Sequence, residues 1–245
     1  MPSSTPCTLI MTSRLPPQAS RHHMSSGFIL IDKPPGITSH DVVDRVRRVT
    51  GIRKVGHGGT LDPFATGLLI VGVGREATRE LGNIIGKDKE YEATMILGAV
   101  SDTQDRDGKI EKTGGALPTE ERLRTVMTGF TGALKQVPPM YSAKKIGGKK
   151  LYELARAGLE IEREPVEITI RALELMAFDL PAASFRVRCS SGTYVRTLAH
   201  DIGQTLGCGA YLDELRRTVI GEWRVEDAVK LEKLDEENWM GKLRS

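Results

Sequence analysis

Residues 56–74, G-H-G-G-T-L-D-P-F-A-T-G-L-L-I-V-G-V-G, set the terms on which this chain folds. Gly56, Gly58 and Gly59 form a turn in which backbone angles closed to other residues are open, and another molecule can come close. Pro63 then fixes its own φ and pushes Asp62 toward an extended conformation. Leu68, Leu69, Ile70, Val71 and Val73 follow as an unbroken apolar run. It is too short and too rich in glycine for a helix, which predicts a strand buried on both faces. A single carboxylate is thus held on a loop braced by a core strand, the arrangement in which catalytic groups are commonly placed. An Asp-Pro in a glycine-rich loop is also an ordinary turn former, so the loop alone does not assign a role to Asp62.

The pattern around this stretch predicts one continuous domain. Residues 28–31 read as a strand that runs into the turn D-K-P-P-G. A helix follows with Ser39 as N-cap, Val42, Val43, Val46 and Val49 on one face, and Gly51 as its stop. Arg45, Arg47, Arg48, Arg53 and Lys54 lie on or just after it, either as a solvated face or as phosphate contacts. Residues 76–85 read as helix. Residues 89–97 alternate as a strand, with Tyr91 facing inward. Residues 101–114 read as a polar loop whose aspartates lack the spacing of a calcium site. Thr119 caps a helix through Met127. Residues 166–178 and 184–189 read as strands, and a helix beginning near Val195 ends at Gly207. Residues 218–225 read as a closing strand and 226–245 as a short tail helix.

Charge is informative by position. The net charge is only +3, but residues 135–158 hold Lys135, Lys144, Lys145, Lys149, Lys150 and Arg156 against a single acid, Glu153. Tyr141 and Tyr152 are interleaved, and Gly147-Gly148 supplies a hinge. That is the footprint of a phosphate-backbone partner, with no P-loop to favour a free nucleotide. Arg196 is the other informative cation. It falls in the first turn of its helix and off the apolar face, where the helix dipole disfavours it unless a carboxylate compensates.

Cys7, Cys189 and Cys208 are odd in number and widely spaced, which fits reduced thiols and neither a disulfide framework nor a zinc site. No metal constellation and no membrane-length apolar run is present, so no metal and no membrane partner is expected. Residues 1–26 read as a disordered tail, with a targeting segment for mitochondrial or plastid import as the competing reading. A cytoplasmic location follows from the first.

Several segments, in order over about residues 27–225, resemble the bacterial-type TruB tRNA pseudouridine synthases. They are Asp32-Lys33-Pro34 with Gly36 and Ser39, and G-H-G-G-T-L-D-P from Gly56 with Ala65-Thr66-Gly67. Lys89 with Tyr91, Q-V-P-P followed by Tyr141-Ser142-Ala143-Lys144-Lys145, C-S-S-G-T-Y-V-R-T-L from Cys189, and Leu215-Arg216-Arg217 complete the set. The resemblance implies isomerisation of uridine 55 in the T-loop of tRNA to pseudouridine. It implies an α/β pseudouridine synthase fold, a central mixed and largely antiparallel sheet flanked by helices, with residues 135–158 as a mobile basic insertion that grips the T-arm.

It also implies roles: Asp62 as the catalytic aspartate, Tyr91 as the active-site tyrosine, and Arg196 as the partner of Asp62. His57 is implied beside the flipped nucleotide and Leu215 in the pocket lining. Gly59, Thr60, Leu61, Tyr194, Lys33, Lys144, Lys145, Lys149 and Lys150 are expected among the substrate contacts. No cofactor is expected, because the reaction neither adds nor removes atoms or electrons. A single catalytic domain over residues 27–245 is expected, acting as a monomer and without the separate C-terminal RNA-binding domain that many relatives carry. Two alternatives stand beside the stand-alone enzyme: a non-catalytic tRNA-binding or refolding module of the same fold, and a synthase acting on other RNA stem-loops, including with a guide RNA.

Overall fold

The structure, a computed structural model, describes residues 26–142, 145–146, 148–151, 154, 159 and 161–244. Lys144 and the N-terminal tail before Ser26 lie outside the described residues.

The chain enters as β1 (Gly27–Lys33), crosses through α1 (Ser39–Thr50) and the short β2 (Val55–His57), and returns as β3 (Thr66–Val73). β1 and β3 pair antiparallel from Gly27↔Val73 to Lys33↔Gly67. Both faces of this pair are covered. Val42, Val43, Val46 and Val49 of α1 pack on Ile29, Ile31, Leu69 and Val71. Ala77, Leu81 and Ile84 of α2 (Arg75–Ile85) pack with Phe28, Leu30, Leu68 and Ile70. This is why β3 is a continuous apolar run rather than an alternating one. The cap of α1 is Thr38 and not Ser39. Thr38 Oγ1 accepts from Asp41 N while Asp41 accepts from Thr38 N, a reciprocal capping box. Ser39 is buried instead, and its role is in the site below.

The second half of the sheet has one helical layer. β4 (Lys89–Leu97) alternates buried and half-exposed residues along its whole length. It lies between β11 (Ala182–Cys189) and β12 (Ala210–Ile220), antiparallel to both. β10 (Val166–Asp179) continues the sheet beyond β11, and β7 (Gly132–Gln136) forms its edge. α3 (Glu120–Thr128) and α4 (Val195–Leu206) lie on the face carrying Tyr91, Ala93 and Met95, and enclose the largest core with Phe185, Leu198 and Ile202. The result is a mixed, mostly antiparallel 10-stranded sheet in the order β14-β1-β3-β12-β4-β11-β10-β7. β14 (Val229–Lys230) joins parallel to β1, β2 pairs with β3, and β13 (Trp223–Arg224) pairs with the end of β12.

The contact that joins the halves is parallel: Thr66 and Gly67 of β3 register with Arg216 and Arg217 of β12. Gly67 has φ +98°, and a Cβ there would collide with the Arg217 carbonyl, so only glycine lets the strands meet.

Three further sequence expectations change. Residues 101–114 are not all loop, since β5 (Ala99–Ser101) pairs with β6 (Ile110–Lys112) as a hairpin. The closing strand starts at Ala210 rather than 218, because a bulge between Leu212 and Glu214 interrupts the alternation that sequence reading follows. Residues 226–244 form no α-helix; three 3-10 turns and β14 run along β1, anchored by buried Leu234 and Trp239. In the basic insertion, the backbone of β8 (Lys145–Ile146) pairs with β9 (Lys149–Lys150).

Candidate active site

Asp62 is fixed from both sides of its loop. On the N-terminal side, Ser39 Oγ accepts from Leu61 N at 2.9 Å and lies 3.1 Å from Leu61 O, to which it donates. On the C-terminal side, the Pro63 carbonyl accepts from Gly36 N at 2.9 Å and from Lys33 Nζ at 3.1 Å. Lys33 is fully buried, and its remaining N–H groups go to Pro34 O and Ile37 O. Burial lowers its pKa to about 8, with Asp62 opposing. With all three donors on backbone carbonyls, Lys33 braces the Asp62 loop from behind; it was expected at the substrate.

The carboxylate faces Arg196. Arg196 Nη2 lies 3.2 Å from Asp62 Oδ2 and donates to Tyr141 O at 2.6 Å, while Nη1 lies 2.8 Å from Asp105 Oδ2. Two carboxylates and a carbonyl therefore offset a cation in the first turn of α4. Asp105 is itself held, accepting from Thr103 Oγ1 at 2.6 Å and Asp107 N at 3.1 Å. The start of α4 has no side-chain cap of its own. Gln136 ties the residue before it to β7: its amide accepts from Tyr194 N at 2.8 Å and donates to Tyr194 O at 3.0 Å. The Asp62 side chain is 32 % exposed, and its open side faces two cavities. Desolvation accordingly raises its pKa, with Arg196 opposing and Asp105 and Asp107 adding to the rise.

Two cavities meet at Asp62. The first, about 290 Å³, is lined by Gly59, Thr60, Leu61, Tyr91, Tyr194, Arg196, Leu215, Lys89 and Arg217 among others. Its size is at the lower end for small-molecule sites, about 300 Å³, and suits a single base. Tyr91 is buried in its wall, and burial raises the phenol pKa while Arg217 opposes. The second cavity, about 760 Å³, opens on the other side of the same loop between His57, His40, Thr38, Tyr141 and Arg196. Among the described residues, His57 Nδ1 and Ser142 Oγ are buried there without a hydrogen-bond partner, so both have capacity left for a ligand. Burial, ahead of the Arg217 charge, lowers the His57 pKa and favours neutral imidazole.

The sequence-derived set thus divides. Asp62, Tyr91, Arg196, Gly59, Thr60, Leu61, Tyr194 and Leu215 surround one cavity, and His57 belongs to the adjoining one. Lys145, Lys149 and Lys150 belong to the β8–β9 hairpin, and Lys144 is not described. Sequence reasoning missed Asp105, and it held Gln136 and Ser39 only as motif residues without the bonds they make. Asp105 was legible only as one of several aspartates in a polar loop. Among the described residues, no group of His, Cys, Asp or Glu is placed to hold a metal ion, and Cys189 and Cys208 are buried and unpaired. No helix of the described residues is long and apolar enough to cross a membrane.

The family model of the TruB family pseudouridylate synthase (N terminal domain) matches residues 47–195, and that of the tRNA pseudouridylate synthase B C-terminal domain matches residues 196–244. The chain belongs to the TruB family. The tRNA pseudouridine synthase B of Geobacter sulfurreducens is 52 % identical over 211 residues, covering 86 % of this chain and 69 % of that one. The same enzyme of Opitutus terrae is 50 % identical over 210 residues, covering 85 % and 87 %. Among solved structures, a Cbf5-Nop10-Gar1 complex superposes with TM-score 0.70 at 31 % identity, over 89 % of this chain and 59 % of that one. An H/ACA RNP bound to a substrate RNA containing 2'-deoxyuridine does so with TM-score 0.63 at 32 % identity, over 85 % and 52 %. The chain therefore spans between half and three fifths of those two solved chains. As a TruB-family tRNA pseudouridine synthase it isomerises uridine in tRNA to pseudouridine. The fold is the pseudouridine synthase fold. The two matched regions share one sheet, since β12 of the second lies between β3 and β4 of the first.

Proposed function

We propose that the uridine isomerised is the one at position 55 of the T-loop, and that Asp62 is the group that acts on it. The observation that carries this reading is the Asp62 carboxylate held 3.2 Å from Arg196, at the junction of a base-sized cavity and a larger one. A nucleotide leaves its stack and places its uracil in the smaller cavity beside Tyr91. The larger cavity, with His57, takes the adjoining part of the loop. Arg196 keeps Asp62 oriented and opposes the desolvation that would protonate it.

The N1–C1′ bond breaks, the base turns, and C5 bonds to C1′. The C5 proton leaves and N1 gains one, so the atoms balance without a co-reactant. Asp62 serves any of three routes: attack at C1′, attack on the uracil ring, or removal of the C2′ proton to give a glycal. Tyr91, or water beside it, takes the C5 proton. Enclosure by the cavity walls keeps water from the detached base. The chain acts in the cytoplasm as a monomer and without guide RNA. The cluster of lysines at Lys144, Lys145, Lys149 and Lys150 supports direct grip on the T-arm backbone.

A T-arm stem-loop carrying [5-³H]uridine at position 55 alone tests the position. Release of tritium by the purified chain, with no guide or partner added, is expected. Release only when other uridines carry the label would move the target elsewhere.

A further inference from the structure

Thr60, Leu61, Asp62, Ser142 and Arg196 line both cavities and so form the wall they share. Asp62 and Arg196 are paired with each other, Leu61 is apolar, and Thr60 is exposed. Ser142 is different. It is 3 % exposed, and among the described residues its Oγ has no hydrogen-bond partner. A buried hydroxyl left unpaired is a net cost to the folded chain, and calls for an explanation. Its place is fixed through its neighbour. The Tyr141 carbonyl accepts from Arg196 Nη2 at 2.6 Å, and the same nitrogen lies 3.2 Å from Asp62 Oδ2. The Ser142 hydroxyl is therefore held one residue from the Asp62–Arg196 contact, in a wall facing both cavities, and nothing among the described residues uses it in the fold.

We infer that Ser142 binds the ribose of the flipped uridine, its hydroxyl bonding the 2′-hydroxyl, and so selects a ribonucleotide at the reacting position. The inference rests on the reading of Asp62 given above. With the uracil in the smaller cavity and the adjoining part of the loop in the larger one, the ribose crosses the wall they share. The sugar's polar groups nearest the base are O4′ and the 2′-hydroxyl. O4′ only accepts, whereas the 2′-hydroxyl donates and accepts, as a serine hydroxyl does. The phosphates lie further from C1′, and the lysines of the following hairpin suit them. The 2′-hydroxyl is also the group by which a protein tells RNA from DNA at a given position. No proton is transferred in this contact, and the three routes open to Asp62 remain available. The chain continues from Ser142 into the lysine hairpin of β8 and β9. The segment that grips the phosphate backbone thus also carries the hydroxyl that seats the sugar.

The test is a cycle between protein and substrate. Wild type and Ser142→Ala are each given T-arm stem-loops carrying [5-³H]uridine or [5-³H]2′-deoxyuridine at position 55, and single-turnover release is read as rate over half-saturating concentration. Ser142→Ala should lower this value about tenfold on the ribose substrate. On the 2′-deoxy substrate it should lower it less than about threefold, because the partner is already gone. Equal losses on both substrates would move the contact to another group, such as a phosphate, and overturn the inference; so would no loss on either. Should the 2′-deoxy substrate release too little to follow, the cycle is repeated as Kd values in the Asp62→Asn chain, with and without Ser142→Ala. The same pattern is expected there, and the same two outcomes would overturn it. Melting temperature of the free protein is a separate check. Ser142 Oγ has no partner to lose, so Ser142→Ala should melt no lower than wild type, and a fall of several degrees would assign the hydroxyl to the fold instead. Asp62→Asn on the uridine substrate keeps the two readings apart. Release there would sink the reading of Asp62, whereas an inactive Asp62→Asn with an additive cycle would sink only the role of Ser142.

Discussion

Asp105 and Arg196 form the closest ion pair in the site, Oδ2 to Nη1 at 2.8 Å with both side chains almost fully buried, whereas Asp62 stands 3.2 Å from the same guanidinium. Asp105 anchors the arginine, and the looser contact leaves Asp62 one open side toward the substrate. Asp105→Asn removes the buried charge partner while keeping its shape. It should destabilise the protein by about 3 kcal/mol in urea denaturation. It should also slow turnover at least about tenfold, since Arg196 is then free to close on Asp62. An unchanged rate would assign Asp105 to stability alone.

Arg196→Lys should lose most activity as well. A point charge on a flexible stem cannot reach Asp62, Asp105 and the Tyr141 carbonyl at once, as the planar fork does. Single-turnover release checks this, and a near-normal rate would remove the pairing from the mechanism.

Acidity is set by the balance at Asp62. Burial raises its pKa above the ordinary 3.8, and Arg196 restrains the rise. Turnover that needs the ionised carboxylate should therefore fall on the acid side with a midpoint above 3.8, and Arg196→Lys should leave the midpoint near the wild-type value while Arg196→Met moves it upward. For stability the sign is the reverse of the usual carboxylate. The folded state holds the proton that the unfolded chain releases as pH rises from 3.8 to the folded pKa, so stability declines through that window. Asp62→Asn should melt no lower than wild type at neutral pH, measured calorimetrically against pH.

Replacing Lys144, Lys145, Lys149 and Lys150 with alanine should weaken T-arm binding and reduce the slope of log K against log salt by about 3. A slope equal to wild type would show that the insertion makes no phosphate contacts.

Gln136 is 3 % exposed and makes both of its hydrogen bonds to the backbone of Tyr194, ahead of the helix that carries Arg196. Gln136→Leu leaves Tyr194 N unpaired, Tyr194 O keeping its bond from Leu198 N, and should cost about 1–3 kcal/mol in chemical denaturation. Release should slow too, because the start of α4, which carries Arg196, then loses its tie to β7.

Local patterns carried the fold as far as local forces decided it. The four valines of α1, the alternation through Tyr91 and the glycine after Leu206 mark elements whose faces are set by burial, and they stand where the residues indicate. β12 escaped in part because its bulge breaks the period of two, and the tail because Leu234 and Trp239 are anchored by β1 rather than by each other. In the site, Arg196 was legible through its awkward place in its helix, whereas Pro63 marked the Asp62 loop without assigning it a role, which came only from the resemblance to the TruB synthases. Asp105 was not, because its role comes from a hairpin that brings it 91 residues along the chain to Arg196. Lys33 stood in a recognisable motif, but only its burial shows that its ammonium goes to the backbone of the Asp62 loop.

Single-turnover release of tritium from a [5-³H]uridine T-arm transcript, wild type beside Asp62→Asn with binding measured in parallel, bears on the role of Asp62 before all else. Wild type should release tritium with no cofactor added, and Asp62→Asn should release none while binding within about threefold of wild type. Release at a comparable rate by Asp62→Asn, or loss of binding in step with loss of release, would contradict a carboxylate that acts in the chemistry.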